Sequence, residues 1–181
     1  EKLSQPVKGD GPLALTLDIK NISTEKMEHS FSVQVGASRS EQRCYRIAVM
    51  LRKLGYPAFN SSLSLPGKGI WHRVYIGAFS TRDSAQNVKD RLFREDIAKG
   101  FIRHMPYAVQ IGRSGSVQQL EALHEKLLST SMLPYPTPIR NASSGQIEGR
   151  LLIGACYKRE DCDLLLSETK ASGYSAVIVE R

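Results

Sequence analysis

One short pattern occurs twice in this chain, and no other feature limits the fold as strongly. Phe31 to Gly36 reads F-S-V-Q-V-G, and Tyr107 to Gly112 reads Y-A-V-Q-I-G, 76 residues later. Arg73 to Ala78 reads R-V-Y-I-G-A and returns as R-L-L-I-G-A at Arg150 to Ala155, 77 residues later. Two matches at nearly equal offsets, with the same kinds of element between them, indicate a tandem duplication.

Each copy reads as β-α-β-β-α-β. In the first, Phe31 to Gly36 alternates, with Phe31, Val33 and Val35 on one side and Ser32, Gln34 and Gly36 on the other. Ser38 followed by Glu41 predicts a helix start, with Cys44, Ile47, Ala48, Leu51 and Leu54 as its apolar stripe and Gly55 as its stop. Pro57 to Leu65 and Trp71 to Phe79 form a hairpin around the P-G-K-G turn at 66–69. Ser80 with Asp83 predicts a second helix lined by Ala85, Val88 and Leu92, and Lys99 to Met105 a closing strand. In the second copy Ser116 with Gln119 caps a helix striped by Leu120, Leu123, Leu127 and Leu128. Lys158 to Ser172 is a helix stopped by Gly173, and Tyr174 to Glu180 is the last strand. The expected boundaries are a linker over 1–30 and units over 31–105 and 106–181. Leu13 to Ile19 alternates like a short additional strand.

Such a unit folds, in the α+β class, as a four-stranded antiparallel sheet with both helices on one face. The first and third strands are then central neighbours. This places Gln34 beside Arg73 and Tyr75 on the open face, with Trp71 further along the same strand. Two large aromatics and a guanidinium alternate there with the apolar residues Val74, Ile76 and Ala78. Burial alone does not account for that set, so the face reads as a binding surface.

The net charge of +7 favours an anionic partner, or serves solubility alone. No long apolar run and no signal-peptide pattern is present. The chain begins at Glu1, as a processed fragment does, so an upstream targeting or anchoring segment is part of the expectation. Three cysteines without a C-x-x-C argue against zinc, and no other cofactor is implied. Cys44 falls on the helix stripe and is expected to be buried. Cys156 and Cys162 either bridge a strand end to the following helix in an oxidising compartment or stand as two thiols. Four scattered histidines, with His72 on the core side, and the absence of G-x-S-x-G or phosphate-loop motifs leave catalysis without support.

V-Q-V-G-A, a helix ending in L-G-Y, and W-H-R-V-Y-I-G-A-F-S-T-R-D-S-A together resemble the sporulation-related repeat, or SPOR domain. The resemblance is strong over 31–105 and weaker over 106–181. It implies a bacterial, periplasmic module that binds peptidoglycan glycan strands lacking stem peptides and directs a larger envelope or division protein to the septum. On it, Gln34, Trp71, Arg73 and Tyr75, with Ser32 beside them, are the glycan-binding residues. A periplasmic location makes Cys156 and Cys162 the pair most able to join.

The chemistry agrees. An aromatic ring covering a pyranose face removes ~50 Å² from water, for about 1 kcal/mol. Gln34 supplies donors and acceptors, and Arg73 a charge-assisted hydrogen bond. Stripping the stem peptides exposes muramic lactyl carboxylates, which suits a basic partner.

The second copy keeps Gln110 and Arg150 as weaker candidates but has Glu148 and Leu152 where the first has Trp71 and Tyr75. Leu152→Ala is therefore expected to leave glycan binding nearly unchanged. Three other readings remain open. The Trp71 and Tyr75 face packs against the second copy or the N-terminal segment; Arg73 forms only a surface ion pair; or the aromatics stack RNA bases. The last lacks a G-F-G-F-V type of signature. A protein–protein role for the pair of units is a further alternative.

Overall fold

The structure is a computed structural model that describes residues 28–181. The expected strand at Leu13 to Ile19, with most of the predicted linker, lies outside the described residues. The first unit comprises β1 (Phe31–Ser38), α1 (Glu41–Lys53), β2 (Ala58–Leu65), β3 (Gly69–Phe79), α2 (Arg82–Arg94) and β4 (Phe101–His104). The second comprises β5 (Tyr107–Ser114), α3 (Val117–Leu128), β6 (Tyr135–Arg140), β7 (Ile147–Cys156), α4 (Asp163–Ala171) and β8 (Val177–Glu180). Their sheets run β2-β3-β1-β4 and β6-β7-β5-β8, antiparallel throughout. Two tandem ferredoxin-like units result, with β1 and β3, and β5 and β7, in the centre.

Two glycines explain why I-G-A is retained in both copies. Gly77 and Gly154 have φ of 71° and 60°, a region that a Cβ disfavours. A Cβ would also collide with the Phe79 ring in the first case and with Leu165 in the second. Beside each glycine the central pairing shifts register, between Phe31 and Val33 and between Tyr107 and Val109. Such a bulge bends the strand and re-aims the side chains beyond it.

The helix caps fall close to their expected places but not always on them. Ser40, not Ser38, caps α1, its hydroxyl accepting from the Arg43 N–H at 3.2 Å. Ser38 still belongs to β1, and its hydroxyl supports the turn by accepting from Ser40 N–H. Thr81, not Ser80, caps α2 by accepting from Ser84 N–H. In both places a neighbouring hydroxyl has the extended backbone that a cap requires. Ser116 caps α3 as its spacing predicts. The expected helix from Lys158 is shorter: a 3-10 turn over Glu160–Cys162 precedes α4.

On the helix-covered side, Cys44, Ala48 and Leu51 of α1 and Ala85 and Leu92 of α2 pack onto Val33, Val74 and Ile76. Leu54, expected on the stripe, is exposed because α1 has already ended at Lys53. The Cys44 thiol is free, buried and donates to the His72 carbonyl. His72 is buried too, its Nδ1 3.0 Å from the Ser62 hydroxyl. Cys156 and Cys162 are joined in a disulfide.

The opposite faces of the two sheets meet. Phe59 and Tyr75 of the first unit share a buried cluster with Tyr135, Leu152 and Ala155 of the second. Polar groups stitch its margin. Ser61 Oγ both donates to the Ala155 carbonyl and accepts from its N–H, at 3.0 and 3.1 Å. Arg52 of α1 donates to the Ala58 carbonyl and, across the junction, to that of Pro134. Burial pulls Arg52 down to about 10 without discharging it at neutral pH.

Candidate functional site

The face of the first sheet turned away from its helices can be read off the strand registers. Gln34 pairs with Tyr75 and Phe101, Ser32 with Arg103, and Tyr75, Arg73 and Trp71 with Phe59, Ser61 and Leu63. All ten side chains therefore share one face. The second unit divides it into a covered half and an open half.

The covered half holds Ser32, Phe59, Ser61 and Tyr75. Tyr75 is 1% exposed, with its ring 5.6 Å from Phe59, which in turn stacks at 4.2 Å on Tyr135. Burial pushes the Tyr75 phenol up to about 12, against the opposing influence of its hydrogen bond with Arg73. Ser32 is fully buried; its hydroxyl donates to the Gly77 carbonyl and accepts from Arg181. Arg181 is itself 1% exposed, over the rings of Phe59 and Tyr135 at 5.7 and 5.3 Å. It also donates to the Met105 carbonyl. Ser32 and Tyr75, expected to contact a ligand, are instead buried between the first sheet and the second unit. The second unit has taken their surface.

The open half keeps Gln34, Arg73 and Trp71, each half-buried, and adds Phe101, which is 63% exposed, and Arg103. Arg103 Nε donates to Gln34 Oε1 at 3.0 Å, which fixes the amide and leaves its NH2 group for a ligand. The same guanidinium lies 5.6 Å from the Phe101 ring. Arg39, just past the end of β1, stands over the Trp71 ring at 5.6 Å. The Trp71 indole N–H is covered and has no hydrogen-bond partner among the described residues. Arg73 reaches the second unit, 5.7 Å from the Tyr157 ring. Three guanidinium groups and two partly accessible aromatic rings thus lie along the same open half as the Gln34 amide. That combination can hold an anionic, hydroxyl-rich chain by stacking and charge-assisted hydrogen bonds.

Residues 29–103 match the SPOR domain. The match covers the unit that carries this face and stops before β5. SPOR domains are peptidoglycan-binding modules, associated with the cell envelope and with division. The match therefore supports non-catalytic cell-wall binding for the first unit. No curated protein and no solved structure matches the chain.

The second unit's equivalent residues are engaged otherwise. Arg150, expected as a weaker glycan contact, is 4% exposed and donates to Thr137 Oγ1 and the Glu180 carbonyl. Its guanidinium ties β6 and β8 to β7 and is engaged within the unit. Gln110 is half-buried and pairs with Leu152, a fully buried residue of the junction between units. Glu148, at the place of Trp71, is held by Asn141 and Arg113, which lower its pKa in that order.

Arg39, Phe101, Arg103 and Tyr157 were absent from the expected set. The alternation of F-I-R-H at 101–104 carries a signal for two of them, since Phe101 and Arg103 fall on the same side of that strand. For Tyr157 no local pattern exists, because its position depends on how the units meet.

Proposed function

We propose that the first unit binds peptidoglycan glycan strands lacking stem peptides, on the open half of its sheet. Residues 31–105 serve as the binding unit and 106–181 as its divergent partner. Gln34, Trp71 and Arg73, joined by Phe101 and Arg103, contact the polymer, while Ser32 and Tyr75 hold the floor. The observation that carries this reading is the clustering of Trp71, Phe101, Arg39, Arg73, Arg103 and Gln34 on one accessible surface of a SPOR unit. Aromatic rings suit pyranose faces, and the guanidinium groups suit lactyl carboxylates that stem-peptide removal exposes.

In this reading the module works in the periplasm and directs a larger envelope or division protein to septal glycan. The Cys156–Cys162 disulfide accords with an oxidising compartment. Among the described residues no helix is long and apolar enough to cross a membrane. Co-sedimentation with sacculi before and after amidase removal of the stem peptides tests the reading. Binding is expected to rise after stripping and to fall with added salt. Equal binding to both forms, or to neither, rejects it.

A further inference from the structure

The second unit covers Tyr75, but it brings another aromatic to the same neighbourhood. We propose that Tyr157 of the second unit is a ligand-contacting residue of the first unit's face, so that the glycan site is built across both units. This rests on the glycan reading above and extends it to a residue of the second unit.

Tyr157 is 37% exposed, a large ring left accessible where the chain had already buried its neighbours Ala155 and Cys156. Its ring lies 5.7 Å from the Arg73 guanidinium. Together with Leu63, Arg73 and Ser61 it borders a small hollow floored by Tyr75. The hollow lies at the boundary between the covered and open halves, on the β2–β3 side of the face. Phe101 and Arg103 stand on the other side, on β4, across β1 from β3. A polymer lying across the sheet from Phe101 past Gln34 and Arg73 therefore meets Tyr157 next.

The backbone that carries the ring is also held in place, which limits the entropy lost on binding. β7 ends at Cys156, and the disulfide to Cys162 closes the turn that carries Tyr157. Within that turn the Lys158 N–H donates to the Asp161 carboxylate. On the inner side, Ser61 grips both backbone groups of Ala155. The ring is 37% exposed, and its hydroxyl is of the kind that bonds a sugar hydroxyl or N-acetyl group. A half-exposed aromatic beside a guanidinium repeats the chemistry of Trp71 with Arg39 on the same strand face.

The test uses the full chain and stem-stripped glycan in co-sedimentation, with melting temperatures measured alongside. Tyr157→Ala is expected to weaken binding about 5-fold, as loss of one stacking contact of about 1 kcal/mol does. Tyr157→Phe and Tyr157→Trp should restore most of it. Nitration of Tyr157 in the wild-type protein, read by mass spectrometry with and without glycan, gives an answer independent of any folding defect. Protection of Tyr157 by glycan supports the proposal, and equal nitration overturns it. Wild-type affinity in Tyr157→Ala, with Trp71→Ala and Arg73→Ala impaired, overturns the composite site while leaving the glycan reading intact. Failure of the wild-type protein to bind stripped glycan rejects both.

Discussion

At the scale of single residues, the first unit's aromatic face is divided by burial. Trp71 remains available to a ligand, whereas Tyr75, two positions along the same strand, is spent on packing. Trp71→Ala and Arg73→Ala are each expected to weaken binding to stripped glycan by about 5- to 30-fold, a contact of about 1–2 kcal/mol. Circular dichroism should show both proteins folded, since both residues are only half-buried. Loss of the fold in either would mean that it serves the core. Arg181 is the opposite case. Burial lowers its pKa, yet Tyr75 and Tyr135 nearby and two oxygen acceptors keep the cation in place. Removing it leaves the Met105 carbonyl and the Ser32 hydroxyl without that donor and opens a cavity above Phe59 and Tyr135. Arg181→Ala is expected to cost about 3 kcal/mol in urea unfolding, and Arg181→Met less, because its chain refills the space. Equal losses from the two would show that charge, not volume, dominates.

At the scale of elements, α3 brings a titrating group to the junction. His124 is buried on α3, and its pKa is lowered first by burial and then by the Arg52 guanidinium; a hydrogen bond to Pro134 and the Glu125 charge oppose this only in part. The folded protein consequently takes up a proton there less readily than the unfolded chain does. Its contribution to stability is complete above the unfolded value of 6.5 and is lost as pH falls from there through the lower folded pKa. Urea unfolding at pH 7.5 and pH 5 should show the wild-type protein weaker in acid, and His124→Gln should narrow that difference. An unchanged difference in the variant would assign the acid sensitivity to other groups. Elements themselves were legible because their signals are local: alternation for the strands, apolar spacing for the helices, and a repeat that reported each twice. The caps at Ser40 and Thr81 were missed by one or two residues, since adjacent hydroxyls are equivalent until the backbone angles choose between them. His124 looked like one of four scattered histidines, because Arg52 and Pro134 reach it only through tertiary packing.

For the whole molecule, the deciding fact is that the two sheets use their open faces against one another. Alternation showed that Ser32, Tyr75 and Arg150 leave the helix-covered side, but no local pattern distinguishes a face that meets water from one that meets a second unit. From the sequence, packing of the face against the second copy and ligand binding read as alternatives; in the structure one half of the face packs against the second unit and the other half is left accessible. Leu152 is where this matters most. As the counterpart of Tyr75 it reads as a residue irrelevant to binding, and it does lie away from the open half; yet it is fully buried in the cluster that contains Phe59, Tyr75 and Tyr135. Truncating a buried leucine costs about 2–5 kcal/mol, the larger values where neighbours cannot collapse into the cavity. Stacked rings on one side and β7 backbone on the other leave little freedom to do so. Because that cluster belongs to both units, the loss should be felt by both. The wild-type protein is expected to melt in a single transition, and Leu152→Ala in a single transition at lower temperature. At temperatures where the variant is folded it should still bind stripped glycan, since Gln34, Trp71 and Arg73 are untouched. Two separate transitions, with only the second shifted by Leu152→Ala, would show that the units fold independently and that the buried face of the first opens without the rest of the molecule unfolding.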